Sequence, residues 1–383
     1  MKQIIHFLFF SVSILLSNIS IAQKANPVEW IVAGNLPGKN AGLAGAFVGV
    51  SDQYLWIGGG ANFPDHLPWE GGIKQYHNLV YFFKRDAHDE RKFIAMPKTT
   101  LLPASLAYGI SVQTGNATIC IGGENEKGHT AGVYRISVNQ KDTSLVMEQL
   151  PDLPVALSNA SGAYYDGRLF IAGGETDKGT CHYFFVMDTR DKDPKWKELS
   201  SLPMPVSHSV LVAQSNGKRT SLYLIGGRTK TNSGISHFYD NVYEYDLQHD
   251  RWKERHKMPF ALSAHTSVPV NNNRILVAGG DKGETFRKVE QMLVAIKAEK
   301  DSVKKEQLVQ SKNKLLRNHP GFNRNSLVYN AVSDQWETLA PMPIEARVTT
   351  TAVIWGEDIV IPSGEIRAGV RTPQLLSGRW IMK

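Results

Sequence analysis

A glycine doublet ends an apolar run at five places in this 383-residue chain. Glycine is favoured where two backbones approach too closely for a side chain, so a recurring doublet constrains the fold strongly. After each doublet comes a run that alternates aromatic or β-branched residues with others, which favours strands over helices. The five segments are Trp56-Ile57-Gly58-Gly59, Cys120-Ile121-Gly122-Gly123, Ile171-Ala172-Gly173-Gly174, Leu224-Ile225-Gly226-Gly227 and Val277-Ala278-Gly279-Gly280.

The doublets belong to a longer repeat of about 50 residues, the length of a kelch blade with four strands. In three repeats the alternating run leads to a tryptophan, at Trp196, Trp252 and Trp336, and then to a Leu-Pro or Met-Pro pair. A single blade cannot bury both of its faces, so such blades stabilise one another around a ring. The sequence therefore predicts an all-β fold, a six-bladed kelch-type β-propeller over residues 23–383.

The sixth blade lacks a fourth strand before the chain ends. Its first strands are predicted at 347–361 and its third at 373–382. Near the other terminus, Trp30 stands in a run at 28–32 followed by Leu36-Pro37, the same motif as at Trp196. We predict that this segment supplies the missing strand, so that strand exchange between the termini closes the ring without an open edge.

One segment interrupts the repeat within the fifth blade. Residues 286–318 are rich in Lys, Glu and Gln, and Val289, Met292, Leu293 and Ile296 recur at helical spacing. We predict an insertion of one or two helices after the second strand of this blade. It is interpreted as a charged surface excursion or, alternatively, as a lid or partner surface.

Residues 1–22 are typical of a secretory signal peptide. Lys2 precedes an apolar stretch, and Ser20-Ile21-Ala22 places small residues before a cleavage point at Gln23. We expect export to the periplasm and no membrane insertion after cleavage. The net charge of +7 comes without Lys/Arg runs interleaved with aromatics, so no nucleic-acid partner is expected. Cys120 and Cys181 lie in or beside strand patterns and are predicted to be two buried free thiols.

The sixth repeat departs from the doublet. It reads Val360-Ile361-Pro362-Ser363-Gly364, with Ser363 in place of the first glycine. Glu365 and Arg371 follow on one loop whose path is eased by Gly364 and Gly369. A carboxylate and a guanidinium that converge on one pocket offer a base and a clamp for an acidic substrate. A surface ion pair is the alternative interpretation.

Two sets of polar residues are predicted to ring one mouth of the central channel, a default ligand site. In an antiparallel blade, the loop after strand two and the entry to the next blade's first strand emerge on the same face. From these two sets we predict seven substrate-binding residues, which are Asn62, Glu124, Glu175, Arg228, His208, His265 and Arg347. The first set follows the doublets, and comprises Asn62, Glu124, Glu175, Arg228, Asp281 and Glu365; the second follows the prolines, and comprises Asn40, Tyr108, Asn159, His208, His265 and Arg347.

The chain resembles the N-acetylneuraminate epimerases, the periplasmic sialic acid mutarotases of bacteria. The resemblance is carried by the six blades, the signal peptide and the segment Gly364-Glu365-x-x-x-Gly369-x-Arg371-Thr372. It implies that Glu365 is the proton acceptor and Arg371 its active-site companion in the interconversion of anomers of an acidic sugar. The blade that carries Glu365 comes last in this chain, as in a circularly permuted subfamily, so the sugar itself is left open.

The resemblance implies an isomerase with a small-molecule acidic sugar as its partner. Such a reaction requires no cofactor, no set of metal ligands is evident in the sequence, and we expect a monomer or homodimer. A non-catalytic kelch propeller that binds a glycan or a protein is the alternative. The acid that protonates the ring oxygen is left open among Arg347, His208, His265 and a water molecule. A sialidase is disfavoured because no Asp-box repeats are present. A copper oxidase is disfavoured because it would need a Tyr–Cys cross-link and paired His ligands, whereas both cysteines lie in or beside strand patterns.

Overall fold

The residues described by the computed structural model, 27–38 and 41–381, form six four-stranded antiparallel sheets, which confirms the predicted propeller. Each blade runs from the channel outwards. In chain order the strands up to the end of the second blade are β1 (Val28–Asn35), β2 (Phe47–Val50), β3 (Leu55–Gly58), β4 (Ala61–Asn62), β5 (Gln75–Tyr76), β6 (Leu79–Arg85), β7 (Phe93–Leu101), β8 (Ile110–Thr114), β9 (Ala117–Ile121), β10 (Glu124–Asn125), β11 (Gly128–His129), β12 (Val133–Val138) and β13 (Leu145–Leu150), with a 3₁₀ helix at Pro68–Glu70.

The next two blades repeat this order, with a short hairpin after the second strand of each. Their strands are β14 (Ser161–Tyr165), β15 (Arg168–Ala172), β16 (Glu175–Thr176), β17 (Gly179–Thr180), β18 (Phe184–Asp188), β19 (Lys197–Glu198), β20 (Val210–Ser215), β21 (Thr220–Ile225), β22 (Arg228–Lys230), β23 (Ser236–Phe238), β24 (Val242–Asp246) and β25 (Arg251–Arg255).

The fifth blade carries two helices where the others carry a hairpin. The remaining elements are β26 (Thr266–Val270), β27 (Arg274–Ala278), α1 (Glu284–Ala298), α2 (Ser302–Arg317), β28 (Asn325–Asn330), β29 (Gln335–Pro341), β30 (Val353–Trp355), β31 (Asp358–Pro362), β32 (Glu365–Arg367), β33 (Val370–Arg371) and β34 (Gln374–Trp380). Neither helix is long and apolar enough to cross a membrane, in the part of the chain described.

The last blade joins the two ends of the chain. Its sheet has the order β1-β34-β31-β30, so the strand from the amino-terminal side is the outermost one. Trp30 on β1 lies opposite Gly378 on β34. A Cβ on Gly378 would stand 2.5 Å from the indole ring, so the glycine leaves the space that Trp30 fills. The predicted signal peptide at 1–22 lies outside the described residues.

Six apolar clusters fill the six gaps between neighbouring blades. In one of them Ile119 of the second blade packs with Leu169 of the third, and in another Tyr223 of the fourth packs with Tyr329 of the fifth. Because each cluster is shared by two blades, removing one blade would expose apolar surface on both of its neighbours. The outer-strand tryptophans add a polar link, as when the Trp252 indole donates to the Ser200 carbonyl at 3.1 Å.

The glycine doublets join each blade to the next. In every blade the amide of the second doublet residue donates to a carbonyl of the following blade, as in the 2.8 Å bond from Gly174 to Val206. A Cβ on Gly173 would lie 2.1 Å from that same carbonyl oxygen, and its φ of +63° also favours glycine. The close approach that the doublets suggested is thus an inter-blade contact.

In the first blade the structural doublet is Gly59-Gly60 rather than Gly58-Gly59. Gly59 and Gly60 have the positive φ of the other doublets, whereas Gly58 ends β3. Three successive glycines made the register ambiguous in the sequence. The shift of one residue changes which side chain follows the doublet.

Ser363 stands where the other repeats have a doublet glycine, and its hydroxyl makes hydrogen bonds that join the last blade to the first. Its hydroxyl accepts from the Leu43 amide at 2.7 Å and lies within hydrogen-bond distance of the Leu43 and Thr372 carbonyls. The side chain is 1% exposed, so this hydroxyl ties the hairpin β32–β33 to the first blade out of contact with water. The departure from glycine is therefore explained by a specific set of hydrogen bonds.

We expect Ser363→Gly to lower the free energy of unfolding by about 1–3 kcal/mol, although it restores the repeat. The Leu43 amide and two carbonyls would lose a buried partner, and this outweighs the relief of the positive φ of Ser363. Urea unfolding followed by circular dichroism measures the change. Gly115→Ala, in an open turn with φ +67° and no neighbour within 4 Å of a new Cβ, is the control for backbone strain alone. A Ser363→Gly protein as stable as the wild type would contradict the assigned role.

The helical insertion is anchored by a buried carboxylate more than by its apolar residues. Glu290 of α1 accepts hydrogen bonds from the Ser236 amide and hydroxyl at 2.7 and 2.8 Å. Leu293 and Val294, by contrast, are exposed by 48% and 41%. From α2, Asn313 donates to the Trp69 carbonyl at 3.4 Å. The insertion thus spans from the fourth blade to the 3₁₀ helix of the first.

The two cysteines differ in their burial. Both thiols are free, as predicted, but only Cys120 is buried. Cys181 is partly exposed, which corrects the prediction for that residue, because it precedes the strand β18 instead of lying within it.

Candidate active site

One residue from each blade belongs to a closed ring of backbone hydrogen bonds around the central channel. Each amide donates to the carbonyl of the preceding blade at 2.7–3.1 Å, and the amide of the first blade closes the ring onto the last. All six residues have a φ between +50° and +64°. We call this ring the collar; its members are Gly45, Tyr108, Asn159, His208, Ala264 and Thr349.

A second ring stands directly beside the collar. The residue before each collar residue forms an antiparallel bridge with the residue that directly follows the doublet. In the sixth blade the place of the doublet is taken by Ser363-Gly364. In five blades this second ring starts a short hairpin, and in the fifth blade the chain continues into α1. We call these the mouth positions; they are Ala61, Glu124, Glu175, Arg228, Asp281 and Glu365.

The collar borders a cavity of about 370 Å³ in the channel, which is also lined by the innermost strands, and the mouth positions are bridged to the residues next to the collar. The structure therefore brings eight of the predicted residues into the two rings. These are Glu124, Glu175, Arg228, Asp281, Glu365, Tyr108, Asn159 and His208.

Asn62 was predicted at the mouth, but it lies one residue beyond the mouth position, which is held by Ala61. It is 6% exposed, its amide donates to the Gly42 carbonyl at 3.0 Å, and its oxygen lies 2.8 Å from His77 Nε2. Ala61 directly follows the doublet Gly59-Gly60, and the next residue along the strand turns its side chain to the other face.

His265 and Arg347 also miss the collar, whose residues in these blades are Ala264 and Thr349. His265 packs beside Gly226 of the neighbouring blade, and burial lowers its pKa to about 4. Arg347 is 2% exposed and donates to the Glu345 carbonyl and the Gln374 side chain; burial lowers its pKa to about 10. The remaining predicted member, Asn40, lies outside the described residues.

Glu365 and Arg371 face each other across the hairpin β32–β33. They are register partners, and Arg371 Nη2 lies 2.9 Å from Glu365 Oε2. The other carboxylate oxygen accepts from the Gly369 amide at 3.0 Å. The side chains are 17% and 6% exposed, so this is a shielded ion pair and not the surface pair considered as an alternative.

Groups from several blades act on this pair. Burial raises the pKa of Glu365, and the nearby Asp281 adds to the rise, while Arg371 and Arg228 oppose it. The Arg371 guanidinium stands 4.7 Å from the centre of the Phe63 ring. Because the fourth, fifth and sixth blades all contribute charges here, Glu365 lies at the shared mouth of the channel and not on the outer rim.

A second carboxylate at the mouth is fully engaged. Glu124 accepts from Tyr76 at 2.9 Å, from Ser158 at 3.0 Å and from Lys74 at 3.3 Å. The Lys74 ammonium also stands 4.9 Å from the centre of the Tyr108 ring. Glu124, in the second blade, is therefore a structural acceptor that links side chains of the first and third blades.

A chain of polar contacts links the third and fourth blades. Ser207 donates to Glu175 at 2.8 Å and lies 3.0 Å from His208 Nδ1, while His208 Nε2 lies 3.2 Å from Arg228. An arginine can only donate, so His208 Nε2 accepts and its proton is on Nδ1. Burial lowers the pKa of His208 to about 3, so it is neutral and serves to orient Arg228.

Sequence reasoning missed Phe63, Lys74, Tyr76 and Phe286, the last of which lies 4.5 Å under the Arg228 guanidinium. Phe63, Lys74 and Tyr76 belong to the hairpin of the first blade and its long loop, and Phe286 to the insertion. Because the loop within this hairpin is much longer than those of the other blades and the insertion occurs in one blade only, the repeat pattern carries no signal for these side chains.

Comparison with known proteins points to one family. The family model described as N-acetylneuraminate epimerase matches residues 150–381, more than half of the chain and including Glu365 and Arg371. The chain belongs to the N-acetylneuraminate epimerase family. This confirms the resemblance inferred from the sequence.

Individual relatives are similar over the same share of the chain. N-acetylneuraminate epimerase of Haemophilus influenzae (strain 86-028NP) is 26% identical over 235 residues, and that of Salmonella typhi is 27% identical over 240 residues. A third, from Salmonella arizonae, is 28% identical over 240 residues. These matches cover 61–62% of this chain and about 60% of the length of each relative.

Proposed function

We propose that this protein interconverts the α and β anomers of N-acetylneuraminate or a closely related acidic sugar. The ion pair of Glu365 and Arg371 at the channel mouth is the observation that carries the proposal. Membership of the N-acetylneuraminate epimerase family supports it.

The reaction requires a base at the anomeric hydroxyl. Glu365 removes that proton, the bond between the anomeric carbon and the ring oxygen breaks, and the ring oxygen takes up a proton. The open keto form rotates, and the reverse sequence closes the ring on the other face. Burial raises the pKa of Glu365, which strengthens it as a base, while the charge of Arg371 favours its ionised form.

Arg371 supplies positive charge where the reaction needs it. Its Nε and Nη1 are buried and lack a hydrogen-bond partner within the described residues, whereas Nη2 is held by Glu365. In a sialic acid the carboxylate is attached to the anomeric carbon, so one guanidinium reaches both this carboxylate and the oxygen on which charge develops. Charge-assisted bonds of this kind are stronger than neutral ones.

The direct test follows freshly released α-N-acetylneuraminate by NMR, with and without protein. We expect the β anomer to appear faster when the protein is present, in proportion to its concentration. An unchanged rate would reject the mutarotase activity for this sugar.

Export to the periplasm is a separate part of the proposal. It is supported by the signal-like composition of residues 1–22. Amino-terminal sequencing of protein recovered from the periplasmic fraction is expected to start at Gln23. A mature chain that retains Met1 would overturn cleavage.

A further inference from the structure

Pro68 and Trp69 of the first blade cover the turn of the hairpin β32–β33. Three hairpins at the mouth, in the second, third and sixth blades, have a glycine four residues after the mouth glutamate, at Gly128, Gly179 and Gly369, each with a positive φ. A Cβ on either of the first two would meet no described atom within 4 Å, whereas a Cβ on Gly369 would stand 2.9 Å from Pro68 Cδ and 3.3 Å from Trp69 Cζ3. Of these three turns, the one that belongs to the ion pair is therefore covered by another blade.

The covered turn holds one carboxylate oxygen of Glu365. The Gly369 amide donates to Oε1 at 3.0 Å, and Arg371 holds Oε2 at 2.9 Å. We call residues 63–74 the first-blade loop; besides Pro68 and Trp69 it contains Phe63, whose ring centre lies 4.7 Å from the Arg371 guanidinium. The first-blade loop thus contacts the arginine directly and the glutamate through the turn.

The helical insertion contacts both the first-blade loop and the hairpin. The Asn313 amide on α2 donates to the Trp69 carbonyl at 3.4 Å, and Asn313 Oδ1 is sealed from water. After α2 the chain returns beside β32, where a Cβ on Gly321 would lie 3.7 Å from the Ile366 carbonyl oxygen. Because Glu290 anchors α1 on the fourth blade, the insertion joins a fixed point of the propeller to the parts that surround the ion pair.

We propose that Trp69 is a positioning residue for Glu365 and that the helical insertion supports the site through it. The inference rests on the proposed function. Pro68 and Trp69 limit the movement of the turn, so that the Gly369 amide stays within hydrogen-bond distance of the carboxylate. Such support matters because a misplacement of about 1 Å can cost roughly 10²-fold in rate. The segment that the sequence left open as a surface excursion or a lid is thereby assigned to the support of the catalytic hairpin.

The hydrogen bond from the turn predicts an effect on the pH profile. Burial raises the pKa of Glu365, whereas Arg371 and the bond from the Gly369 amide oppose the rise. Asp281 and Arg228 are the other charged groups that act on it, and a substitution in the first-blade loop leaves both in place. A turn that moves away would remove a bond to the charged form, so the pKa would rise. Because the base must be ionised, the acid limb of the kcat–pH profile would then move to higher pH.

The test is Trp69→Ala in the NMR assay of anomer exchange. We expect kcat to fall by about 10–10²-fold, the sugar affinity to stay within a few-fold of the wild type, and the acid limb to move to higher pH. Trp69→Phe, which keeps an aromatic ring at the turn, is expected to restore most of the rate. Ile73→Ala is the control in the same loop, since this side chain is 79% exposed. A Trp69→Ala enzyme with wild-type kcat and an unmoved acid limb would overturn the inference, whereas an inactive wild type would reject the proposed function instead.

A second variant covers the case in which Trp69→Ala does not fold. Gly369→Ala introduces a methyl group against Pro68 and is expected to lower kcat and move the acid limb in the same direction. Gly179→Ala imposes a positive φ on alanine at the matching place of the third blade, where the space is open. Equal losses in the two variants would mean that backbone strain alone acts, and would contradict the inference.

The contribution of the insertion is tested by Asn313→Ala. We expect a smaller fall in kcat and the same direction of movement of the acid limb, because the Trp69 carbonyl loses its partner. Gln310→Ala, on the same helix but bonded to the exposed Glu306, is the control. An Asn313→Ala enzyme that matches the wild type in both measurements would overturn the role given to the insertion.

Discussion

Glu365→Gln is expected to lower the rate of anomer exchange by about 10²–10⁴-fold, to near the uncatalysed rate. Glutamine keeps an acceptor for the Gly369 amide and preserves the shape of the side chain, but it cannot take the proton from the anomeric hydroxyl. The same NMR measurement that detects the activity gives the loss in rate.

The binding of the sugar separates this outcome from simple damage to the site. We expect Glu365→Gln to bind N-acetylneuraminate with an affinity within about tenfold of the wild type in calorimetry, because Arg371 stays charged. Glu345→Gln is a matched charge control, because Glu345 is exposed and its hydrogen bond with Arg347 is made by its backbone carbonyl, which the substitution keeps. If Glu365→Gln exchanges anomers at the wild-type rate, Glu365 is not the base. If neither the wild type nor Glu365→Gln catalyses exchange, but both bind the sugar, the protein is a non-catalytic binding propeller.

Asp358→Asn is expected to cost about 3–5 kcal/mol of unfolding free energy, the usual loss when a buried charge loses its pairing. Asp358 is fully buried on β31 and accepts from Arg85 of the first blade at 2.5 Å and from Arg379 of β34 at 3.1 and 3.2 Å. Asparagine would turn donors towards two guanidinium groups. Equilibrium urea unfolding measures the change.

The adjacent Glu357→Gln is the control for Asp358→Asn. Glu357 lies 3.8 Å from Arg379 but is 83% exposed, so we expect its substitution to change stability by less than about 1 kcal/mol. Equal effects of the two substitutions would contradict the view that the buried contacts of Asp358 with Arg85 and Arg379 hold the last blade to the first.

The contacts of Asp358 with Arg85 and Arg379 also determine how stability changes with pH. Burial alone would raise the pKa of Asp358, but hydrogen bonds from Arg379 and Arg85 outweigh it and hold the pKa below its ordinary value. The stabilisation is therefore complete above the unfolded pKa of about 3.9 and is lost as the pH falls through the folded value.

The sequence predicts the sheets well because their signals recur. Doublets, alternating runs and tryptophans appear in several repeats, so each repeat checks the others, and Trp30 could be assigned to the last blade from its motif alone. Glu365 and Arg371 stood out because they break this repetition.

The errors arose where residue type was given more weight than spacing. The collar residue stands five positions after Pro103, Pro154, Pro203 and Pro259, which leads to Ala264 in the fifth blade, whereas the polar neighbour His265 was chosen. In the sixth blade the interval is six positions after Pro343, so Thr349 and not Arg347 reaches the ring. An inserted residue of this kind changes no composition and is visible only once the backbone path is known.

The collar has a consequence for how such a protein could change its ligand. Its bonds use main-chain atoms alone, and its six members are as different as Gly45, Tyr108 and Thr349. Side chains at these positions can therefore be exchanged while the surrounding architecture is kept, provided that each tolerates the left-handed backbone conformation. Selection or design for another ligand could therefore begin with substitutions at this one ring.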